Sequence, residues 1–386
     1  MTLVNFTNLD FDTIRESIKD YLRSNTNFTD YDYEGSNLSV IIDILAYNTY
    51  ISSYNANMLS NEVFLDSATL RENVVSLARN IGYIPRSRKA SKAIISFTVD
   101  TTRYPNPPVT LTLKKGIVCL SSNQFNSRAY SFSIPEDITV NVVDNIAKFD
   151  NVEIYEGTLI STSFIVDPFV DRSLQRYILD NVGIDSELIK VKVRETQLSS
   201  IVKNFKLNKN ILNIGPNSNV FFLQEIEDER YELIFGDGIF GTALQENNFI
   251  EVDYIVCSGE EANSISSFNF AGRLFDNNDN LVTQDVSVVR VEYPSQGGKS
   301  IEDVNSIRKA STKAYAAQNR AVTANDYESI VKSIYPEIES ISVFGGETMS
   351  PPRYGRVFIT IKPINGPFLS TTIKDNIKRD LRNYRS

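Results

Sequence analysis

Gly236, Gly238 and Gly241 in "FGDGIFG" stand at the spacing G-x-G-x-x-G, which in a dinucleotide-binding loop lets the backbone approach a pyrophosphate. That chemistry needs the loop to open a helix whose N-terminal amides hold the phosphates. Here "TALQENN" runs into the strand-like "FIEVDYIV", and Asp237 would repel a phosphate, so a glycine-rich β-hairpin is expected instead. "GGKS" (297–300) resembles the end of a phosphate-binding loop, but Tyr293 stands where the first glycine belongs. "DNNDN" (276–280) suggests an oxygen-ligand calcium loop. Its sixth position is Leu281 rather than glycine and its twelfth is Ser287 rather than glutamate, so it reads as a turn. "EIEDE" (225–229) offers paired carboxylates of the kind glycosidases use, and equally a solvated acidic loop. The chain has no histidine, which removes Ser-His-Asp and Cys-His nucleophiles and the common zinc sites. Cys119 and Cys257 sit in strand-like runs and read as small core residues. No catalytic residue, cofactor site or metal site is therefore expected.

Three segments would carry these residues. The reading is α+β and multidomain, with helices over 1–90, a β-rich sandwich- or barrel-like region over 91–293, and a small α/β unit over 294–386. In the first, Ile14, Ile18, Tyr21 and Leu22 share a helix face, with Asp10 or Asp12 at its N-cap. Thr69 and Glu72 fit a capping box, and Gly82 fits a helix stop. In the second, Ile95, Phe97 and Val99 alternate with polar residues, as do Val109, Leu111 and Leu113, and Ile250, Val252 and Tyr254. "SLQRYILDNV" reads as a short inserted helix. In the third, Thr323 caps a helix with Asp326 near its positive end, and the last helix is basic through Lys374, Lys378, Arg379, Arg382 and Arg385. That basic face is either solvated or docks on an acidic partner. The junctions at 86–92 and 293–300 have the Gly, Pro, Ser and charged composition of hinges.

One stretch does not fit a solitary soluble helix. "LSVIIDILAYNTYISSYNANMLSN" (38–61) has a single charge, Asp43. Val40, Ile44, Tyr47, Ile51, Tyr54 and Met58 form a heptad seam. Leu38, Ile41, Leu45, Thr49, Ser52, Ala56 and Leu59 form a second seam about 140° away. Two apolar sides need two covers. Either the helices at 13–22 and 68–81 supply both, or another chain completes one seam. Tyr47 and Tyr54 suit an interface, where their hydroxyls find partners.

The net charge of −9 argues against a nucleic-acid surface, and no run of about 18 apolar residues would cross a membrane. The start, "MTLVNFTNLDFDT", has no signal-peptide pattern, so synthesis in the cytoplasm is expected.

"YELIFGDGIFGTAL" and "GGKSIEDVNSIRKASTKAYAAQNRAVTANDYESIV" resemble the baseplate J-like family. The stretch from Gly35 to Ser91 is similar to the wedge subunits, gene product six, of T-even-type contractile-tail bacteriophages. The resemblance implies a virion structural protein of the tail baseplate. It implies partners: a second copy, other wedge proteins in a helix bundle, neighbouring wedges and a central hub. It also implies a rearrangement of the ring during sheath contraction. No nucleic acid, membrane or small-molecule substrate is expected. Related subunits continue past the equivalent of Ser386, which puts a ring-closing contact in question. The competing reading is a carbohydrate-binding or carbohydrate-cleaving tail protein built on the β-region.

Overall fold

The computed structural model describes residues 10–24, 36–104, 107–122, 128–171, 174–208, 214–282, 286–318, 320–335, 338–363 and 368–384. The expectations that touch Gly35, Arg385 and Ser386 lie outside them. The chain divides into two compact units. One holds the residues up to Tyr83 together with Val304–Tyr315, and the other holds Ile84–Asp303 and the residues from Ala316 onward.

The first unit is helical: α1 (Phe11–Arg23), α2 (Asn37–Glu62), α3 (Arg71–Asn80) and the first turns of α4 (Val304–Ala317). On α1 Ile14 is buried, whereas Tyr21, expected on the same face, points to solvent. The α3 start also differs from expectation. Leu70 is its N-cap residue and makes no side-chain cap. Thr69 instead donates its amide and hydroxyl to Glu62 at the end of α2, which also accepts from the Leu70 amide and the Asn73 side chain. A carboxylate already present at the α2 terminus takes the donors that a local capping box would have used. Burial pushes the Glu62 carboxyl up, but the hydrogen bonds from Asn73 and Thr69 outweigh it and hold the group below its ordinary value. At the far end Gly82 adopts φ 85°, Gly82 N donates to Arg79 O and Tyr83 N to Ala78 O, the paired bonds of a Schellman stop.

The core of this unit joins distant sequence. Ala68, Val74, Val75 and Ala78 pack with Ile307 of α4. Arg308 donates Nε to Leu65 O (3.0 Å), Nη2 to Ala68 O and Nη1 to Asn305 (2.9 Å), fastening the α2–α3 turn to α4. The first turns of α4, expected in the C-terminal unit, therefore belong to the helical one.

The second unit is built on two large sheets. Ten strands form the first. In order they run Phe268–Phe270, Gly116–Ser121, Ser131–Ile134, Ile146–Glu156, Ile138–Val143, Thr110–Leu113, Leu274–Asp276 and Leu281–Val282, while Lys92–Asp100 pairs with both Ile146–Glu156 and Arg290–Gln296. The sheet curls until Val286 bridges back to Val99, nearly closing a barrel around Phe97, Leu111, Phe132 and Phe149. The alternation read from sequence puts Leu111 and Leu113 inside, but Val109 is exposed just before its strand begins.

The seven-stranded sheet runs Thr158–Ile165, Phe249–Val256, Lys190–Arg194, Val202–Leu207, Val220–Glu225, Tyr231–Phe235 and Tyr177–Leu179. Its last strand lies within the stretch expected as a short helix. Tyr177–Leu179 pairs with Tyr231–Leu233 at the sheet edge, and that pairing overrides a weak local helical pattern. One chain segment, 146–165, serves both sheets, passing from one to the other at Gly157 (φ 119°), where a Cβ would lie 2.2 Å from Val256 O.

The expected hinges are bound to each other. Arg86 N donates to the buried Glu302 carboxylate (2.9 Å) and Glu302 N to Arg86 O (3.2 Å). Lys89 and Lys299 exchange both backbone bonds, at 2.9 and 3.0 Å. The "GGKS" glycines serve this ribbon, since a Cβ on Gly298 would lie 2.2 Å from Gly259 O. Composition suggested looseness, but the glycines are there for close backbone approach.

The C-terminal part pairs strands Ile338–Gly345 and Val357–Pro363. With α5 (Ala324–Ile334) and α6 (Thr371–Leu381) they bury Ile330, Val331, Ile377 and Leu381.

Candidate functional site

The residues with tempting chemistry are held in structural roles. Asp237 Oδ1 accepts the amides of Ile239 and Phe240, each at 2.8 Å, and these bonds, from Phe240 and then Ile239, lower its pKa. Gly238 (φ 93°) and Gly241 (φ 95°) take left-handed backbone, and a Cβ on Gly236 would lie 2.3 Å from the Gly241 carbonyl carbon. The segment is a crossed loop and not the expected hairpin. The flanking strands Tyr231–Phe235 and Phe249–Val256 stand four places apart in the sheet, and Gly236 bridges in parallel to Ala243. Asp276 closes its turn by accepting the Asn278 and Asn280 amides. Cys119 and Cys257 are buried and unbridged, and burial raises both thiols to about 12. Among the described residues no cluster of His, Cys, Asp and Glu could hold a metal.

At α5, Thr323 Oγ1 accepts Asp326 N (3.3 Å) and Asp326 Oδ2 accepts Thr323 N (2.8 Å), a reciprocal capping box. The Thr323 amide holds the Asp326 carboxyl below its ordinary value. On α6, Lys378, Arg379 and Arg382 are exposed. Lys378 reaches Asp375 at 3.5 Å and Arg379 reaches Asp380 at 3.4 Å, pairs that contribute little in solvent.

The unusual surface is that of α2. Ser36 caps it, accepting Ser39 N at 3.0 Å, and it runs 26 residues, about 39 Å. Its own chain covers a third face that the two seams left out. Ser39, Ile42 and Ala46 are buried, at spacings of three and four, and α1 packs over α2. Asp43 borders that face and pairs with Arg15 of α1 at 2.8 Å. The lone charge of the stretch is thus paired within the unit although its side chain stays 45% exposed, and Glu62 at the helix end is bonded within the unit too, so neither seam carries an unpaired charge.

Both seams face outward. Val40, Ile44, Tyr47, Ile51, Tyr54 and Met58 are 36–61% exposed. Ile41, Leu45, Ala56 and Leu59 are exposed too, and Leu38 is half-buried. At 100° per residue the three faces lie roughly 105–140° apart, the arrangement of a rod surrounded on all sides. The signal for the third face was available in the small residues Ser39 and Ala46 flanking Ile42, next to the only charge. No helix among the described residues is long and apolar enough to cross a membrane.

Comparison with known proteins bears on both ends of the chain. The family described as "Baseplate wedge protein gp6-like, helical domain" matches residues 10–83, ending where the first segment of the helical unit ends. "Baseplate structural protein gp6, C-terminal domain I" matches residues 323–386, beginning at the α5 cap. Baseplate wedge protein gp6 of Enterobacteria phage T4 is 27% identical over 395 residues. That match takes in 97% of this chain and 57% of the relative, so the chain spans little more than half the relative's length. Among solved structures, a chain of the six-fold-symmetrised cryo-EM baseplate of the anti-feeding prophage matches at 14% identity, over 100% of this chain and 78% of that one. Its TM-score of 0.33 is too low to argue from. With a gp6-type helical domain matched at one end, a gp6-type C-terminal domain I matched at the other and a gp6 relative aligned along 97% of this chain, the chain is similar to baseplate wedge proteins of the gp6 type.

Proposed function

We propose that this chain is a structural, non-enzymatic subunit of the phage tail baseplate wedge, resident in the virion and assembled in the host cytoplasm. In this reading α2 is one rod of a helix bundle, with one seam taken by a second copy and the other by a different wedge protein. The seam ending in Thr49, Ser52 and Ala56 suits close approach of another backbone. Wedges joined in this way form a ring around the central hub and rearrange when the sheath contracts.

The observation that carries the reading is the α2 surface: two exposed apolar seams with no charged residue in either, on a 26-residue helix. Leaving six such side chains half wet forgoes on the order of 6 kcal/mol gross, at about 1.5–3 kcal/mol per fully buried side chain. Association and ordering costs offset part of that gain. The family match supports the same role, since the relative is named for the baseplate wedge.

Light scattering of the purified chain over a concentration series, alone and mixed with the phage's other wedge proteins, tests it. The expected result is self-association or a stable mixed complex. A folded chain that stays monomeric in every mixture refutes the bundle.

A further inference from the structure

A second surface, far from α2 in sequence, also displays apolar side chains. Strands Thr158–Ile165, Lys190–Arg194 and Tyr231–Phe235 of the seven-stranded sheet all finish at one end, and their antiparallel neighbours begin there. The loop residues 166–171 and 174–176, 195–201 and 236–248 therefore share that end. Each carries large apolar residues in the open: Phe169 (94% exposed), Leu198 (97% exposed) and the pair Ile239 and Phe240. Leu174 and Ile201 flank them, also exposed.

Scattered exposed apolar residues need no explanation, but a group of them on fixed loops does. Two of the loops are held by the same device. Asp167 Oδ1 accepts Phe169 N at 2.8 Å, as Asp237 Oδ1 accepts the Ile239 and Phe240 amides. Gln175 then clamps the first loop, with Oε1 accepting Asp167 N and Nε2 donating to the Asp167 and Val170 carbonyls. Glycine crossing fixes the second, and Gly241 N and Thr242 N tie it to Gly215 O and Ser218 O. The backbone that would need ordering on binding is already ordered, which lowers the cost of docking.

The charge around this end identifies the occupant. Asp167, Asp171, Glu195, Asp237 and Glu246 are exposed there, against one exposed lysine, Lys203, among the described residues. The two arginines of these strand ends are taken, Arg176 by Glu232 (2.7 Å) and Arg194 by Glu251 (3.0 Å). Exposed apolar residues and an excess of exposed acidic residues at the same end fit a protein that offers an apolar patch accompanied by lysine and arginine. A second copy meeting this end with its own like end would set acidic residues against acidic residues, and an anionic lipid surface would be repelled.

We infer that this end of the seven-stranded sheet docks a different, basic-rimmed protein within the baseplate, independently of α2. The inference rests on the baseplate role proposed above.

Carbene footprinting of the full chain, free and in baseplates purified from particles, tests it. Labelling at Phe169 and Leu198 is expected to fall about tenfold on assembly, as near-complete exposure gives way to interior-like packing, and labelling at the half-exposed Phe240 to fall less. A chain absent from the baseplates refutes the role itself. A chain present but labelled at these residues as in the free state overturns only the docking surface. A photo-crosslinker at position 169 should join the chain to a protein whose linked surface is flanked by Lys and Arg, and linkage to a second copy overturns the stated partner. The double variant Phe169→Ser, Leu198→Ser should keep the wild-type melting midpoint while its incorporation falls at least about tenfold, as expected for removing interface anchors. Undiminished incorporation overturns the proposal.

Discussion

Replacing Ile44 with aspartate separates the two demands on α2. Ile44 is 61% exposed, so about two fifths of its surface is already covered within the chain. Full burial of an isoleucine is worth about 1.5–3 kcal/mol, so the uncovered part has about 1–2 kcal/mol to give on association. In a dimer that uses this seam twice, Ile44→Asp removes roughly 2–4 kcal/mol, and each carboxylate buried without a partner adds to the loss. At 1.4 kcal/mol per decade, the association constant should fall at least about 30- to 700-fold. In the isolated chain the new carboxylate meets water, and the change in folding stability should stay within about 1 kcal/mol. Light scattering over a concentration series reads the first quantity, and thermal melting of the dilute protein reads the second. Ser17→Asp on the exposed face of α1 is the control that should change neither. Association that survives Ile44→Asp contradicts the seam. So does a collapse in stability of the dilute chain, because Ile44 would then be packed against its own subunit.

Arg308→Ala should lower the unfolding free energy by about 2–4 kcal/mol in urea melts, since it strips charge-assisted bonds from the Leu65 and Ala68 carbonyls. Arg308→Lys should recover only part, because an ammonium cannot reproduce the fork. Burial raises Asp185 from 3.8 to about 6, even though its carboxylate accepts the amides of Ala90 (2.8 Å) and Glu187 (2.9 Å). With the folded-state value above the unfolded one, the stability linked to this group is fully present below about 3.8 and is lost as pH rises through about 6. Asp185→Asn should therefore flatten the stability profile between those values, by roughly 3 kcal/mol for a shift of about two units. An unchanged profile counts against it. Gly298→Ala should cost about 1–3 kcal/mol or more from overpacking against Gly259 O, and nucleotide should leave the melting midpoint of the wild-type chain unmoved.

The elements that sequence made legible are those whose signals are local. Gly82 stops α3 because only a left-handed residue fits there, and Thr323 with Asp326 announces α5 through a cap contained in four residues. Leu111 and Leu113, or Ile250 and Val252, reveal their inward face by alternation alone. What failed depended on partners distant along the chain. Thr69 looked like a cap until Glu62 took its hydrogen bonds. Ile307 and Arg308 gave no sign that they complete a core centred more than 200 residues earlier. The Gly236–Gly241 loop looked like a hairpin because periodicity says where strands are and not which strands are neighbours. On α2 both exposed seams were visible in the spacing of large side chains. The covered face was harder to read, because its signal rested on the small Ser39 and Ala46 flanking Ile42, which carry little hydropathic contrast.

The same distinction bears on the two junctions. Gly, Pro, Ser and charge at 86–92 and 293–300 suggested two loose tethers, yet the segments are one another's hydrogen-bond partners. Swinging either alone would break the two bonds between Arg86 and Glu302 and the two between Lys89 and Lys299. At about 0.5–1.5 kcal/mol net per bond, that costs on the order of 4 kcal/mol before the Asp185–Ala90 bond is counted. Beyond the ribbon the pairing continues into Lys92–Asp100 and Arg290–Gln296, so its stiffness merges with that of the ten-stranded sheet. A bend that leaves the ribbon intact would have to fall outside it, and the chain passes between units at 83–84, 303–304 and, within α4, 315–316. Comparing these backbone positions before and after sheath contraction distinguishes the two cases. Unchanged pairing of Lys89 with Lys299 is expected in both states, and its loss in one would restore the hinge to the place the composition first suggested.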